Sequence, residues 1–213
     1  FAPEMSDQFF QEKASFLARL GSGSACRSTY GGLVIWGAHS AVPESSNFYG
    51  VPLRDTHEIF DTYQDSILLI DKGQKPVSSS MGHKLMIDHP YAEARFAQAR
   101  QNITLLKEVL TQGDLNEFNR IVESEALALH AMMLTSNPYY ILMRPNTLSA
   151  IERIWYFRAS TNTPICFTLD AGANIHLLYP KAYKADIIPF IEKELKPLCQ
   201  DQEVIYDEVK SES

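Results

Sequence analysis

The sequence predicts an α+β fold in which helices cover a face of an antiparallel sheet. Two observations carry this reading. Strand-like segments stand at both ends of a long helical block instead of alternating with single helices, and 45% hydrophobic content over 213 residues is enough for a sizeable core. A shift in composition near residue 61, after a polar stretch holding Pro43 and Pro52, divides the chain into residues 1–60 and 61–213.

The elements follow from periodicity and punctuation. Phe9, Phe10, Phe16, Leu17 and Leu20 recur at helical intervals between Ser6, a capping residue type, and Gly21, a helix stop. Residues 21–28, Gly-Ser-Gly-Ser-Ala-Cys-Arg-Ser, read as a small-residue loop or loop-to-helix turn, residues 30–36 have strand composition, and residues 37–60 read as irregular. The apolar run at 66–71 suits a buried strand. Helical patterning then covers 80–89, 90–111, 114–134 and 147–158, with Gly113 and Asn137-Pro138 as breaks. Segments 165–170 and 174–179 read as two strands across an Ala-Gly-Ala turn, 182–195 as a helix, and 203–209 as a last alternating strand.

Composition excludes several functions. Nineteen Lys plus Arg against 26 Asp plus Glu give a net charge of −7, the wrong sign for holding nucleic acid through the overall field. No apolar run approaches the roughly 18 residues of a membrane span, and residues 1–20 lack the basic and apolar regions of a secretion signal. A soluble cytoplasmic protein is expected, without nucleic-acid or membrane partners. Cys26, Cys166 and Cys199 are odd in number and widely spaced, so they form neither a disulfide framework nor a zinc site. Histidines 39, 57, 83, 89, 130 and 176 show no metal-ligand spacing and read as surface or packed residues. Met132, Met133, Trp155, Tyr156 and Phe157 read as core. The chain opens Phe1-Ala2-Pro3 with no initiator methionine, as a segment that starts mid-protein would.

Three segments carry candidate chemistry. In residues 21–28, Gly21 and Gly23 let backbone N–H groups converge and Arg27 could grip a carboxylate or phosphate; the plainer alternative is a glycine-rich helix stop beside a surface arginine. Ser78, Ser79 and Ser80 open a helix and could bind phosphate oxygens there, although capping alone accounts for at least one of them. Asp170, at the end of an apolar strand and followed by small residues, is placed as a buried or half-buried carboxylate able to orient or deprotonate a hydroxyl. An ordinary hairpin-turn aspartate is the alternative.

Taken together and in order, GSGSACRS at 21–28 running into YGGLVIW at 30–36, the serines at 78–80 with Gly82, and FTLDAGAN at 167–174 resemble the mevalonate diphosphate decarboxylases. These belong to the superfamily of galactokinase, homoserine kinase, mevalonate kinase and phosphomevalonate kinase. The resemblance implies a two-domain small-molecule kinase fold, with residues 1–60 the later part of an N-terminal domain and 61–213 a C-terminal α+β domain. It implies ATP- and Mg2+-dependent decarboxylation of mevalonate 5-diphosphate to isopentenyl diphosphate, in isoprenoid biosynthesis, by a homodimer. In that likeness Asp170 matches the aspartate that deprotonates or orients the tertiary hydroxyl, and Arg27 the arginine that holds the substrate carboxylate. Ser22, Gly23 and Ser24 match positions lining the polar diphosphate end of the substrate. Ser79 matches a serine near the transferred phosphate, in reach of both substrate and ATP.

Ala173 stands where many members have proline, and His83 where many have methionine. The family's Lys-Tyr-Trp strand and ATP-phosphate loop are expected upstream of Phe1, which would leave this segment inactive by itself. Two other readings stay open at this level: a related mevalonate or phosphomevalonate 3-kinase or decarboxylase, and a non-catalytic C-terminal module.

Overall fold

In a computed structural model of the chain, the structure describes residues 5–73 and 79–209, leaving out the side chains of Ser79, Ser80 and His83. Helix α1 spans Asp7–Gly21 and begins where Ser6 Oγ accepts the Phe9 N–H. Its one fully buried residue is Ser15. The Ser15 hydroxyl donates to the Cys26 carbonyl at 2.7 Å and accepts the Gly50 N–H at 2.9 Å, joining three segments in one network. A 3-10 turn, Gly23–Thr29, follows directly.

The strand expected over 30–36 shrinks to β1, Val34–Ile35, paired antiparallel with β2, Val51–Pro52. Gly32 at φ 66° and Gly37 at φ 111° take left-handed backbone on either side of those two residues and end the extended run.

A 3-10 turn over Glu58–Thr62 leads into β3, Tyr63–Leu68, which starts three residues earlier than the apolar run suggested. Its first residues, Tyr63, Gln64 and Asp65, are aromatic or polar, so hydropathy hid them. Pairing with β5 reveals them, in register from Tyr63 opposite Pro180 to Leu68 opposite Ile175. With β4 (Cys166–Leu169), β5 (Ile175–Pro180) and β6 (Val204–Glu208), the order is β4-β5-β3-β6 and every pairing is antiparallel.

The helices between β3 and β4 are α2 (Ser79–Lys84), α3 (Ala92–Gln112), α4 (Leu115–Leu134) and α5 (Pro145–Thr161). Helix α2 stops short of the expected residue 89, and Asp88 there takes a left-handed φ of 60°. Asp114 caps α4 by accepting the Asn116 and Glu117 N–H groups, and Pro145 opens α5 at a position that needs no N–H. Helix α6 (Lys184–Phe190) contains Pro189, which removes a rung of the ladder, and the chain continues as a π turn over Ile191–Leu195.

One sheet face packs on α5 and α6. Leu68, Phe167, Leu169, Ile175, Leu177 and Tyr179 meet Ile151, Ile154, Ile187 and Ile191 there. Residues one step along each strand point the other way. On that second face Tyr63 and Cys166 join Phe60, Val109, Phe118 and Ile121, with Leu33 and Leu53 of the N-terminal segment packed against them. Trp155 and Tyr156 are not core as expected: α5 buries Ala150, Ile151 and Ile154, which turns Tyr156 outward at 76% exposure and leaves Trp155 at 40%.

Candidate active site at the Asp170 turn

Asp170 follows β4 directly and alternates with Thr168, whose cross-strand partner is His176. By that pairing Thr168 and His176 share the second face of the sheet, and Asp170 follows at its edge. Both line a cleft of about 190 Å³ whose wall includes Ile67, Asp71, Lys72 and Arg144. Asp170 is exposed instead of buried or half-buried, because the strand ends at Leu169 and the chain turns outward.

Neighbours hold this turn residue by residue. The Gly172 N–H donates to the Asp170 carbonyl at 2.7 Å, an i to i+2 bond that closes a three-residue γ-turn. His130 on α4 places Nε2 at 3.1 Å from the same carbonyl. Ala171 packs against Leu85, Met132, Met133 and Leu142. The Ala173 carbonyl accepts the Thr147 hydroxyl at 2.8 Å, which joins the turn to α5. Asn174 Oδ1 accepts the Asp71 N–H at 2.9 Å, and Arg144 Nε donates to Asp71 Oδ2 at 2.8 Å.

The cleft's charges come mostly in pairs. The Arg144 hydrogen bond, with help from the Gly73 N–H, holds the Asp71 carboxyl below the usual carboxylate range. Glu203 and Asp201 both bind the Lys72 ammonium and raise its pKa. His176 Nδ1 lies 2.8 Å from Asp65 Oδ2. The cleft thus presents an exposed carboxylate beside oriented cationic groups, an arrangement suited to a hydroxyl next to a phosphate.

The other predicted residues lie elsewhere. Ser22, Ser24 and Arg27 are exposed on the Gly23–Thr29 turn or at its edge. Gly23 sits under the Trp36 ring, where a Cβ would come within 2.8 Å of Cη2. Cys26 anchors the turn, its carbonyl accepting the Ser15 hydroxyl at 2.7 Å and the Thr29 hydroxyl at 3.0 Å. None of Ser22, Gly23, Ser24 and Arg27 lines the Asp170 cleft, and two larger clefts of about 600 and 940 Å³ hold neither them nor Asp170. Ser79 opens α2 in the backbone, and its side chain, like all of Ser78, lies outside the described residues.

The sequence reading missed His130, Asn174 and Thr147 as parts of this site. A signal for His130 was present: it continues the α4 stripe of Phe118, Ile121, Ala126 and Met133, where an apolar residue was due.

Residues 66–213 match the family model of the mevalonate 5-diphosphate decarboxylase C-terminal domain. The chain belongs to the mevalonate 5-diphosphate decarboxylase family. Residues 4–47 match the diphosphomevalonate decarboxylase-like N-terminal domain. The Candida albicans diphosphomevalonate decarboxylase is 24% identical over 181 residues, covering 84% of this chain and 49% of the relative. The crystal structure of mevalonate diphosphate decarboxylase from Staphylococcus aureus superposes with a TM-score of 0.80 at 25% identity, covering 94% of this chain and 58% of that one. The structure of MDDEF in complex with MVAPP, AMPPCP and magnesium gives a TM-score of 0.79 at 24% identity, with 95% and 58% covered.

The chain spans about half the length of the curated relatives it matches, 49% for the Candida protein. Among the described residues, no helix is long and apolar enough to cross a membrane, and no group of three or more His, Cys, Asp or Glu could hold a metal ion.

Proposed function

We propose that this family member decarboxylates mevalonate 5-diphosphate to isopentenyl diphosphate in an ATP-dependent reaction. The observation that carries the reading is the exposed Asp170 carboxylate on a turn tied to α4, α5 and the loop after β3, in a cleft with Lys72 and Arg144. Asp170 orients the tertiary hydroxyl of the substrate or takes its proton, which makes the oxygen a better nucleophile. Bound ATP supplies the phosphoryl group, with magnesium offsetting the charge on its phosphates. The exposed Asp170 carboxylate beside cationic groups fits that cofactor pair, since magnesium is usually held by one or two carboxylates together with phosphates and water.

Arg27 holds the substrate carboxylate through its planar pair of donors, and Ser22, Gly23 and Ser24 line the diphosphate end. Ser79 lies close to the transferred phosphate. Once the hydroxyl is phosphorylated, phosphate departs with the C–O electron pair and leaves positive character at the tertiary carbon, and the electron pair of the bond to the carboxylate carbon becomes the new double bond as carbon dioxide is lost. This reading divides the protein near residue 60 and requires both parts to face one substrate. It includes a cytoplasmic homodimer, a reading supported by the family likeness.

The test is ATP turnover with mevalonate 5-diphosphate by the native full-length protein and its Asp170→Asn variant. We expect isopentenyl diphosphate from the wild type and a loss of about 10²- to 10⁴-fold in kcat from the variant. Isopentenyl phosphate from the monophosphate, or an accumulating 3-phosphate, would move the assignment to the related 3-kinases and decarboxylases. A wild type that turns over none of these substrates overturns it.

A further inference from the structure

The Asp170 carbonyl is the acceptor for two donors, the Gly172 N–H at 2.7 Å and His130 Nε2 at 3.1 Å. A carbonyl oxygen only accepts, so His130 must carry its proton on Nε2. His130 is 1% exposed, and its other nitrogen, Nδ1, is buried with no hydrogen-bond partner among the described residues. A proton on Nδ1 would add a buried charge and an unsatisfied donor together, so the ring stays neutral in the Nε2–H form. Burial lowers the His130 pKa in the same sense, and the bond to Asp170 opposes it only in part.

Three other residues of the turn have their own tethers. Ala171 has its apolar cluster, Ala173 has Thr147, and Asn174 has Asp71. The γ-turn at Asp170 is closed by a backbone bond across three residues, and His130 adds a contact from α4 to that same carbonyl. We propose that His130 is a positioning residue that locks the γ-turn carrying Asp170 and so sets where its carboxylate stands in the cleft. The proposal rests on the role assigned to Asp170 above. His130 touches no substrate atom: it acts through the backbone, so its loss displaces the carboxylate without removing a binding contact.

Three substitutions in the native full-length protein test this. In His130→Gln the amide nitrogen reaches the place of Nε2, in His130→Asn it stops at the place of Nδ1, and His130→Leu has no donor. Gln and Asn are alike in polarity, so a loss of packing alone would not separate them. The first readout is amide hydrogen exchange at Gly172, which needs no activity. We expect exchange about 10-fold or more faster in the Asn and Leu variants and near wild type in Gln. The second is the split between kcat and KM. We expect kcat down about 10- to 100-fold in Asn and Leu, with KM for substrate within about twofold, and most of kcat restored in Gln.

Unchanged Gly172 exchange in Asn and Leu overturns the proposal, as does a Gln variant that loses as much as Leu. If Leu fails to fold, the Gln and Asn pair still decides. If the wild type shows no turnover, the decarboxylase reading falls, while the order of Gly172 exchange rates still decides the role of His130.

Discussion

Glu123 shows how a buried charge is held in this protein. Its side chain is 9% exposed, and its carboxylate accepts Arg158 Nη1 at 2.6 Å, Arg158 Nη2 at 3.0 Å and Trp155 Nε1 at 2.8 Å. Arg158 also donates to the Ile165 carbonyl at 2.8 Å, so one ion pair joins α4, α5 and the approach to β4. Removing one partner leaves the other charge half-buried and unpaired. Glu123→Ala is expected to cost about 3–5 kcal/mol in urea unfolding, and Glu123→Leu with Arg158→Met to recover most of it. A loss below about 1 kcal/mol for Glu123→Ala would show that water already screens the pair. None of this was legible in the sequence, because Glu123 stands 32 positions from Trp155 and 35 from Arg158, and only helix packing brings them together. Asp170 differs. Its residue type and strand-end position were legible, and its exposure was not, because that depends on the direction the turn takes.

At the scale of elements, the junction of α3 and α4 turns on two adjacent residues that the sequence marked plainly. Gly113 ends α3 at φ 76°, and Asp114 caps α4. A Cβ on Gly113 would also lie 2.8 Å from His57 Cγ, and His57 N–H donates to the Leu110 carbonyl at 2.7 Å. Gly113→Ala thus combines left-handed backbone strain with a collision against the segment that packs on α3. We expect a loss of more than about 1 kcal/mol by thermal or denaturant unfolding. A shift within experimental error would mean that the His57 loop gives way at no cost. Where the sequence misled was the opposite kind of element. Strand β1 has apolar neighbours along a seven-residue segment, yet its length was decided by Gly32 and Gly37 and by a partner, β2, that is only two residues long.

At the scale of the whole molecule, α1 leaves apolar side chains uncovered. Leu17 and Leu20 are 55% and 63% exposed, and neither belongs to one of the three apolar clusters. Exposed apolar surface of this kind drives association. The 213-residue chain is expected to self-associate in sedimentation velocity, and Leu17→Lys with Leu20→Lys to reduce that association markedly. Equal association of both forms would place the sticky surface elsewhere. Sequence alone determined the α+β class and the order of the long helices and of the strands of the larger sheet, because these follow from local periodicity, capping and breaker residues. It also determined the family, through three short segments whose residue order is specific. Only the tertiary structure decided the sheet order, the extra residues of β3, the exposure of Asp170 and the tethers of its turn, His130 to Asp170, Thr147 to Ala173 and Asp71 to Asn174. Those contacts join residues 26 to 103 positions apart, and no local pattern encodes which distant donor will meet a given carbonyl.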